Sequence, residues 1–245
     1  MREIVLDTET TGFEPESGDR IVEIGAIELF NHMPTGRTFH EYINPERDMP
    51  DEAFGIHGIG PDLLVSGPRA AKPGEVTLKD KPVFKAVGQA FLDFIEDSNL
   101  VIHNASFDMK FLNAELKWMG LPQIVYSRAV DTLAIARKKF PGSPASLDAL
   151  CRRFGIDNSN RTLHGALLDS EILADVYLEL IGGKQPDFGL AAPVQKGNGS
   201  AQQVETDWRP KPRSTPLPPR ITEKEKAAHA TFVAKLGEKA LWLKT

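Results

Sequence analysis

Asp7 and Glu9 stand two residues apart at the end of an apolar run, I-V-L-D-T-E-T-T-G, Ile4–Gly12. Side chains on a β-strand alternate faces with period two, so both carboxylates point the same way. Two acids so placed repel unless a cation lies between them, and a hard divalent ion such as Mg²⁺ takes oxygen ligands of this kind. For D-x-E alone, a strand end with two solvated acids is an equal alternative. Two more acids change that balance. Asp108, in H-N-A-S-F-D (His103–Asp108), falls in the first turn of a predicted helix that begins at a strand end. Asp169, in L-H-G-A-L-L-D (Leu163–Asp169), lies one turn into another helix, whose entry carries His164. Taken singly, Asp108 is an acid favoured at a helix N-terminus and His164 a loop histidine. As a set, four carboxylates in one pocket cannot all stay ionised without cations, because each raises its neighbour's pKa. Two Mg²⁺ or Mn²⁺ ions about 4 Å apart would cancel the charge and stabilise the attacking and leaving oxygens of an in-line phosphoryl displacement. A base must still take the proton of the attacking water, and neutral His164, with a reference pKa of about 6.5, fits that task. The chemistry expected is metal-assisted hydrolysis of a phosphodiester.

The elements that must position these residues follow from hydrophobic period. Residues 2–45 read as three strands: one ending at Asp7–Glu9, then Arg20–Phe30, then Thr38–Ile43. In the second, Ile21, Glu23 and Gly25 fall on one face and Val22, Ile24 and Ala26 on the other. Turn-rich links such as M-P-T-G predict an antiparallel meander. Asp51–Ile59 holds a short helical turn broken by glycines, and Ser66–Val76 is a polar, Pro/Gly-punctuated excursion on the surface. From Pro82 to about Glu96, Phe84, Val87, Phe91 and Phe94 recur at helical spacing. Asn99–Asn104 is a short buried strand, Ser106–Met119 a helix, Ala129–Thr132 a short strand, and Ser146–Phe154 and Gly165–Ile181 are helices. Cys151 shares the apolar face of Leu147, Leu150 and Phe154 and belongs to the core, as does Phe107. Antiparallel strands followed by β-α-β-α alternation give an α/β fold, a mixed sheet with helices packed on it. In such sheets ligand sites gather at the carboxyl ends of strands, where Asp7–Glu9 and His103–Asp108 lie.

Composition bounds the rest. With 245 residues and a net charge of −5, the chain can bury one sizeable core but carries no basic footprint for nucleic acid, so any grip must be local or metal-mediated. No apolar run approaches the roughly 20 residues of a membrane span. The start, M-R-E-I-V-L-D, lacks the shape of a signal peptide. A single cysteine excludes an internal disulfide and fits a reducing cytoplasm.

The motifs D-T-E-T-T-G, H-N-A-S-F-D and H-G-A-L-L-D, in this order, resemble the three motifs of the DEDD exonucleases in their histidine branch. Lys138–Ile156, running on to R-T-L-H-G-A-L-L-D-S-E-I-L-A-D-V-Y, is similar to the proofreading subunits of bacterial replicative DNA polymerases. The resemblance covers residues 2–183 firmly and the tail only loosely. It implies a ribonuclease H-like fold and removal of nucleotides from single-stranded 3′ ends of DNA. Carried over by position, it implies that Asp7, Glu9 and Asp169 hold one cation, that Asp7 with Asp108 holds a second, and that His164 is the base. It also implies that Asp7, Glu9 and Asp169, together with Glu52 and His57, contact the substrate. The Ser66–Val76 stretch is longer and richer in proline than the family pattern. Two other readings compete. A free-standing exonuclease of the same family that trims RNA would share the fold, but it has no need of the linker and tail. A replisome interaction module that has lost catalysis would not need intact acids and His164.

Residues 1–183 thus read as the exonuclease domain. Residues 184–220, with five prolines between Pro210 and Pro219, read as a flexible linker. In it, Gln185, Phe188 and Leu190 have the spacing of a sliding-clamp binding peptide. Residues 221–245 open on a capping box, Thr222 with Glu225, and end in A-L-W-L. They read as a tail that folds on the polymerase subunit through Phe232, Leu241, Trp242 and Leu243.

Overall fold

The computed structural model describes residues 1–159, 161, 163–182 and 221–236. The apolar run that leads to Asp7 becomes strand β1 (Arg2–Thr10), the middle of a five-stranded sheet. The other strands are β2 (Ile21–Phe30), β3 (Met33–Tyr42), β4 (Asn99–Ile102) and β5 (Ala129–Asp131), in the order β3-β2-β1-β4-β5. β1, β2 and β3 pair antiparallel, whereas β4 joins β1, and β5 joins β4, in parallel. The mixed sheet expected from the β-α-β-α alternation is therefore present.

The link between β2 and β3 differs from the sequence reading. The turn is Asn31–His32, both at positive φ (50° and 64°), which is what a two-residue hairpin with the strands' own twist requires. Met33–Gly36 already belongs to β3. Pro34 is tolerated there because β3 is an edge strand. A second difference lies in β2. The β1–β2 register shifts between Glu9 and Thr10, so that Glu9 faces Glu23 and Thr10 faces Ile21. One residue is added between them, and Ile21 joins Ile24 and Ala26 in one core while Val22 turns to another.

Helices cover both faces: α1 (Asp51–His57), α2 (Phe84–Ile95), α3 (Ala105–Trp118), α4 (Thr132–Lys139), α5 (Leu147–Phe154) and α6 (Ala166–Ile181). Ile4 and Leu6 of β1 pack with Phe84 and Phe91 of α2 and Phe111 of α3. Val5, on the opposite face, packs with Leu150 and Cys151 of α5 and Leu173 and Val176 of α6. A smaller cluster around Val22, Met49 and Leu78 seats α1. Helix α1 runs through Gly55 and is closed by Gly58 in the left-handed conformation, so it is longer than one broken turn. Helix α4 has no counterpart in the sequence reading. Asp131 caps it, accepting from the backbone N–H of Leu133 and Ala134. The Ser66–Val76 excursion is mostly exposed and is tied by a two-pronged Arg69–Glu75 ion pair.

The chain divides into two units, Met1–Ala191 and Ala192–Thr245. In the second, α7 (Glu223–Leu236) starts at the expected capping box: Glu225 accepts from the Thr222 N–H, and Thr222 Oγ1 accepts from the Glu225 N–H. No helix of the described residues is long and apolar enough to cross a membrane.

Candidate active site

Three elements distant in sequence bring the four acids to one place. Asp7 and Glu9 come from β1, Asp108 from the first turn of α3 and Asp169 from the first turn of α6. With His164 they line a single cleft of about 490 Å³. The approach of α6 depends on Gly25, which pairs with Asp7 across the β1–β2 ladder. A Cβ at Gly25 would lie 2.1 Å from the backbone nitrogen of Leu167 and 2.2 Å from the carbonyl carbon of Ala166. The helix backbone thus rests directly on the strand, and Ser170 Oγ bonds the Gly25 carbonyl at 2.9 Å.

The buried carboxylate of Glu23 accepts from the Ala166 N–H at 2.9 Å, placing negative charge at the positive end of α6. His40 Nε2 holds the other Glu23 oxygen at 2.7 Å. On the opposite side, Asn104 adopts positive φ (67°) to turn the chain from β4 into α3. Thr8 Oγ1 then donates to Asp108 Oδ1 at 2.7 Å, tying β1 to α3 beside the acids.

The electrostatics are those of crowded, buried acids. Burial pushes Asp7 well above the ordinary carboxylate range, and Asp108, Glu9, Asp169 and Glu23 push it further. Glu9 rises to about 8, from burial first and then from Glu23, Asp169 and Asp108. Asp108 rises to about 7 through burial, against the opposing hydrogen bonds from Thr8 and from the backbone. His164 moves down from its usual value because of burial and the Arg161 guanidinium, so its neutral form is favoured. Such a site attracts positive charge. Hard carboxylate oxygens with one imidazole nitrogen form a donor set suited to Mg²⁺ or Mn²⁺. Ligand atoms of Glu9, His164 and Asp169 lie within 4.8 Å of one another. Asp7, read as a shared ligand, lies outside that trio, whereas His164, read as the base, lies inside it. Arg161 bridges two members of the trio: its Nη2 is 2.9 Å from His164 Nδ1 and 2.7 Å from Asp169 Oδ2.

Arg161 escaped the sequence reading. Its only signal was an arginine three residues ahead of His164 in an acid-rich constellation. Phe107 also requires correction. Its ring packs on the core but stays partly exposed and walls both the acidic cleft and an adjoining one of about 670 Å³. Glu52 and His57 line this second cleft, and Glu9 is common to the two. His57 is buried, which holds its pKa down at about 4. Its Nδ1 accepts from the Ile59 N–H at 3.1 Å, so Nε2 carries the hydrogen. Phe232 is exposed on α7. Gln185, Phe188, Leu190, Leu241, Trp242 and Leu243 lie outside the described residues.

Comparison with known proteins gives a consistent result. The exonuclease family profile matches residues 4–177. DNA polymerase III subunit epsilon of Rickettsia felis is 48% identical over 240 residues, 96% of this chain and 97% of the relative. The Escherichia coli K12 subunit epsilon is 42% identical over 255 residues, covering 98% of this chain and 97% of the relative. Among solved structures, exonuclease X in complex with 5′-overhanging duplex DNA superposes with a TM-score of 0.52 at 23% identity, covering 73% of this chain and 90% of that one. At that identity the superposition speaks to a shared ribonuclease H-like fold.

Proposed function

Because the chain belongs to the exonuclease family, on the branch of the DNA polymerase III epsilon subunits, we propose that it is a 3′→5′ proofreading DNA exonuclease working by a two-metal mechanism. The observation that carries this reading is the convergence of Asp7, Glu9, Asp108, Asp169 and His164 on one cleft. Asp7, Glu9 and Asp169 would hold one divalent cation, and Asp7 with Asp108 the other. When bound, such a pair stabilises the attacking and leaving oxygens of the displacement. The chain's own side chains do the rest. His164, half-exposed and neutral, accepts the proton of the attacking water. Glu52 and His57 contact the terminal nucleotide in the adjoining cleft, with Glu9 at the junction between base recognition and chemistry. A mispaired 3′ end unstacks more readily than a paired one and so enters more often.

Residues 1–183 form the catalytic domain in this reading, 184–220 a linker and 221–245 an anchor on the polymerase III alpha subunit. Phe232, Leu241, Trp242 and Leu243 are the anchor's apolar contacts, and Gln185, Phe188 and Leu190 dock the sliding clamp. Turnover of matched DNA and RNA oligonucleotides with Mg²⁺ or Mn²⁺ tests the activity. We expect DNA to be degraded from its 3′ end, Asp169→Ala to abolish turnover, and His164→Ala to lower the maximal rate by roughly 10²–10⁴. Near-normal turnover by Asp169→Ala would remove the metal assignment, and preference for RNA would replace proofreading by RNA trimming.

A further inference from the structure

The carboxylates of Asp7, Glu9, Asp108 and Asp169 line the acidic cleft, Glu23 lies close enough to act on Asp7 and Glu9, and the Arg161 guanidinium reaches in among them. The Arg161 side chain is only 9% exposed, so its charge is largely withdrawn from water. Its Nε and Nη2 donate to the two separate oxygens of Asp169, at 2.5 and 2.7 Å, in the parallel fork that guanidinium and carboxylate geometry favours. The same Nη2 stands 2.9 Å from His164 Nδ1. Nη1 donates outward, at 3.0 Å, to Asp148 Oδ1, which also accepts from Asn158 Nδ2. Asp148 lies in the first turn of α5 and its side chain is 45% exposed, so it forms an outer post at the rim of the cleft.

A divalent cation and the Arg161 guanidinium are two positive charges that compete for the one carboxylate of Asp169. We propose that Arg161 is the site's resident counter-charge, holding Asp169 and His164 in place until a divalent cation enters and then yielding them, with Asp148 retaining the displaced guanidinium at the rim. Arg161 acts through Asp169 and His164 and is a positioning residue. It keeps a cluster of acids from splaying apart, at the cost of weaker cation binding. Its release frees the imidazole for proton transfer in the same event that completes the site. The alternative, that Arg161 fixes Asp169 in the geometry a cation needs, makes the opposite prediction for cation affinity.

The proposal rests on the metal reading above, and Mn²⁺ binding to the full chain separates the two. Free Mn²⁺ is followed by electron paramagnetic resonance for wild type, Arg161→Ala, Arg161→Lys and Asp169→Ala, with thermal unfolding in EDTA alongside. We expect Arg161→Ala to bind Mn²⁺ roughly ten- to a hundredfold more tightly than wild type, the size of effect that loss of a competing charge-assisted pair gives. It should also melt at a lower temperature in EDTA, with the difference shrinking when Mn²⁺ saturates the site. Arg161→Lys keeps the charge without the fork and should fall between the two, and it serves where the alanine variant does not fold. Unchanged or weaker Mn²⁺ binding in the Arg161 variants, with binding still lost in Asp169→Ala, overturns the role given to Arg161 while leaving the metal site standing. Absence of Mn²⁺ binding to wild type overturns both.

Discussion

Glu9 shows how the charge of the site bears on stability. Its pKa rises from an ordinary 4.5 to about 8 in the folded chain. Over that span the folded state holds a proton that the unfolded state has released, so stability falls as pH rises. His57 works in the opposite direction, because its value drops from 6.5 to about 4 and folding then gains as pH rises through that lower window. Above pH 6.5 the histidine is mostly neutral in both states, so its opposing slope fades. Protein stripped with EDTA should therefore lose stability between pH 6.5 and 8, by about 1–2 kcal/mol from Glu9 alone. Saturating Mg²⁺ or Mn²⁺ should flatten the slope, since ligation requires the deprotonated acids. Urea unfolding at several pH values, with and without metal, checks this, and a flat EDTA profile would contradict the raised value. At this scale the acids and His164 were legible because each sits at a strand end or helix start with its own motif. Arg161 was not, since an arginine between α5 and α6 acquires meaning only when its guanidinium meets Asp169 in the folded chain.

Among the elements, β1, α2, α5 and α6 follow from apolar period and from their capping or terminating residues. Two others did not. The eight residues of α4 offer too short a pattern for periodicity, although the Asp131 cap was there to be read. The start of β3 looked like a turn because of Pro34 and Gly36, and only the strand's edge position makes the proline acceptable. The contact of α6 with β2 at Gly25 gives a sharp prediction. Gly25→Ala should destabilise the protein by roughly 3 kcal/mol, near the top of the usual range for overpacking, because the atoms it meets are backbone and cannot swing aside. Exonuclease activity should fall with it, as Asp169 moves with the helix. Gly55→Ala in α1 is the matched control, since nothing lies within 4 Å of its added Cβ. It should be neutral or stabilising by about 0.5–1 kcal/mol. Thermal melts of the two variants, alongside turnover, decide the matter.

For the whole molecule, the three apolar clusters of the described residues all lie between Ile4 and Leu180, so the first unit contains its own core. A chain ending at Gly183 should fold, degrade short single-stranded DNA at the full rate and fail to co-purify with the polymerase subunit. Tight binding by the truncated chain would refute the role proposed for the tail. The same arrangement governs when activity first becomes possible. Asp7 lies in the first strand and Asp169 in the last described helix of this unit, and the Gly25 contact sets one beside the other. Synthesis proceeds from the N-terminus, at about 5–20 residues per second. A chain still emerging from the ribosome carries Asp7 and Glu9 long before it carries Asp169. For most of its own translation the chain therefore lacks the fourth acid of the cleft.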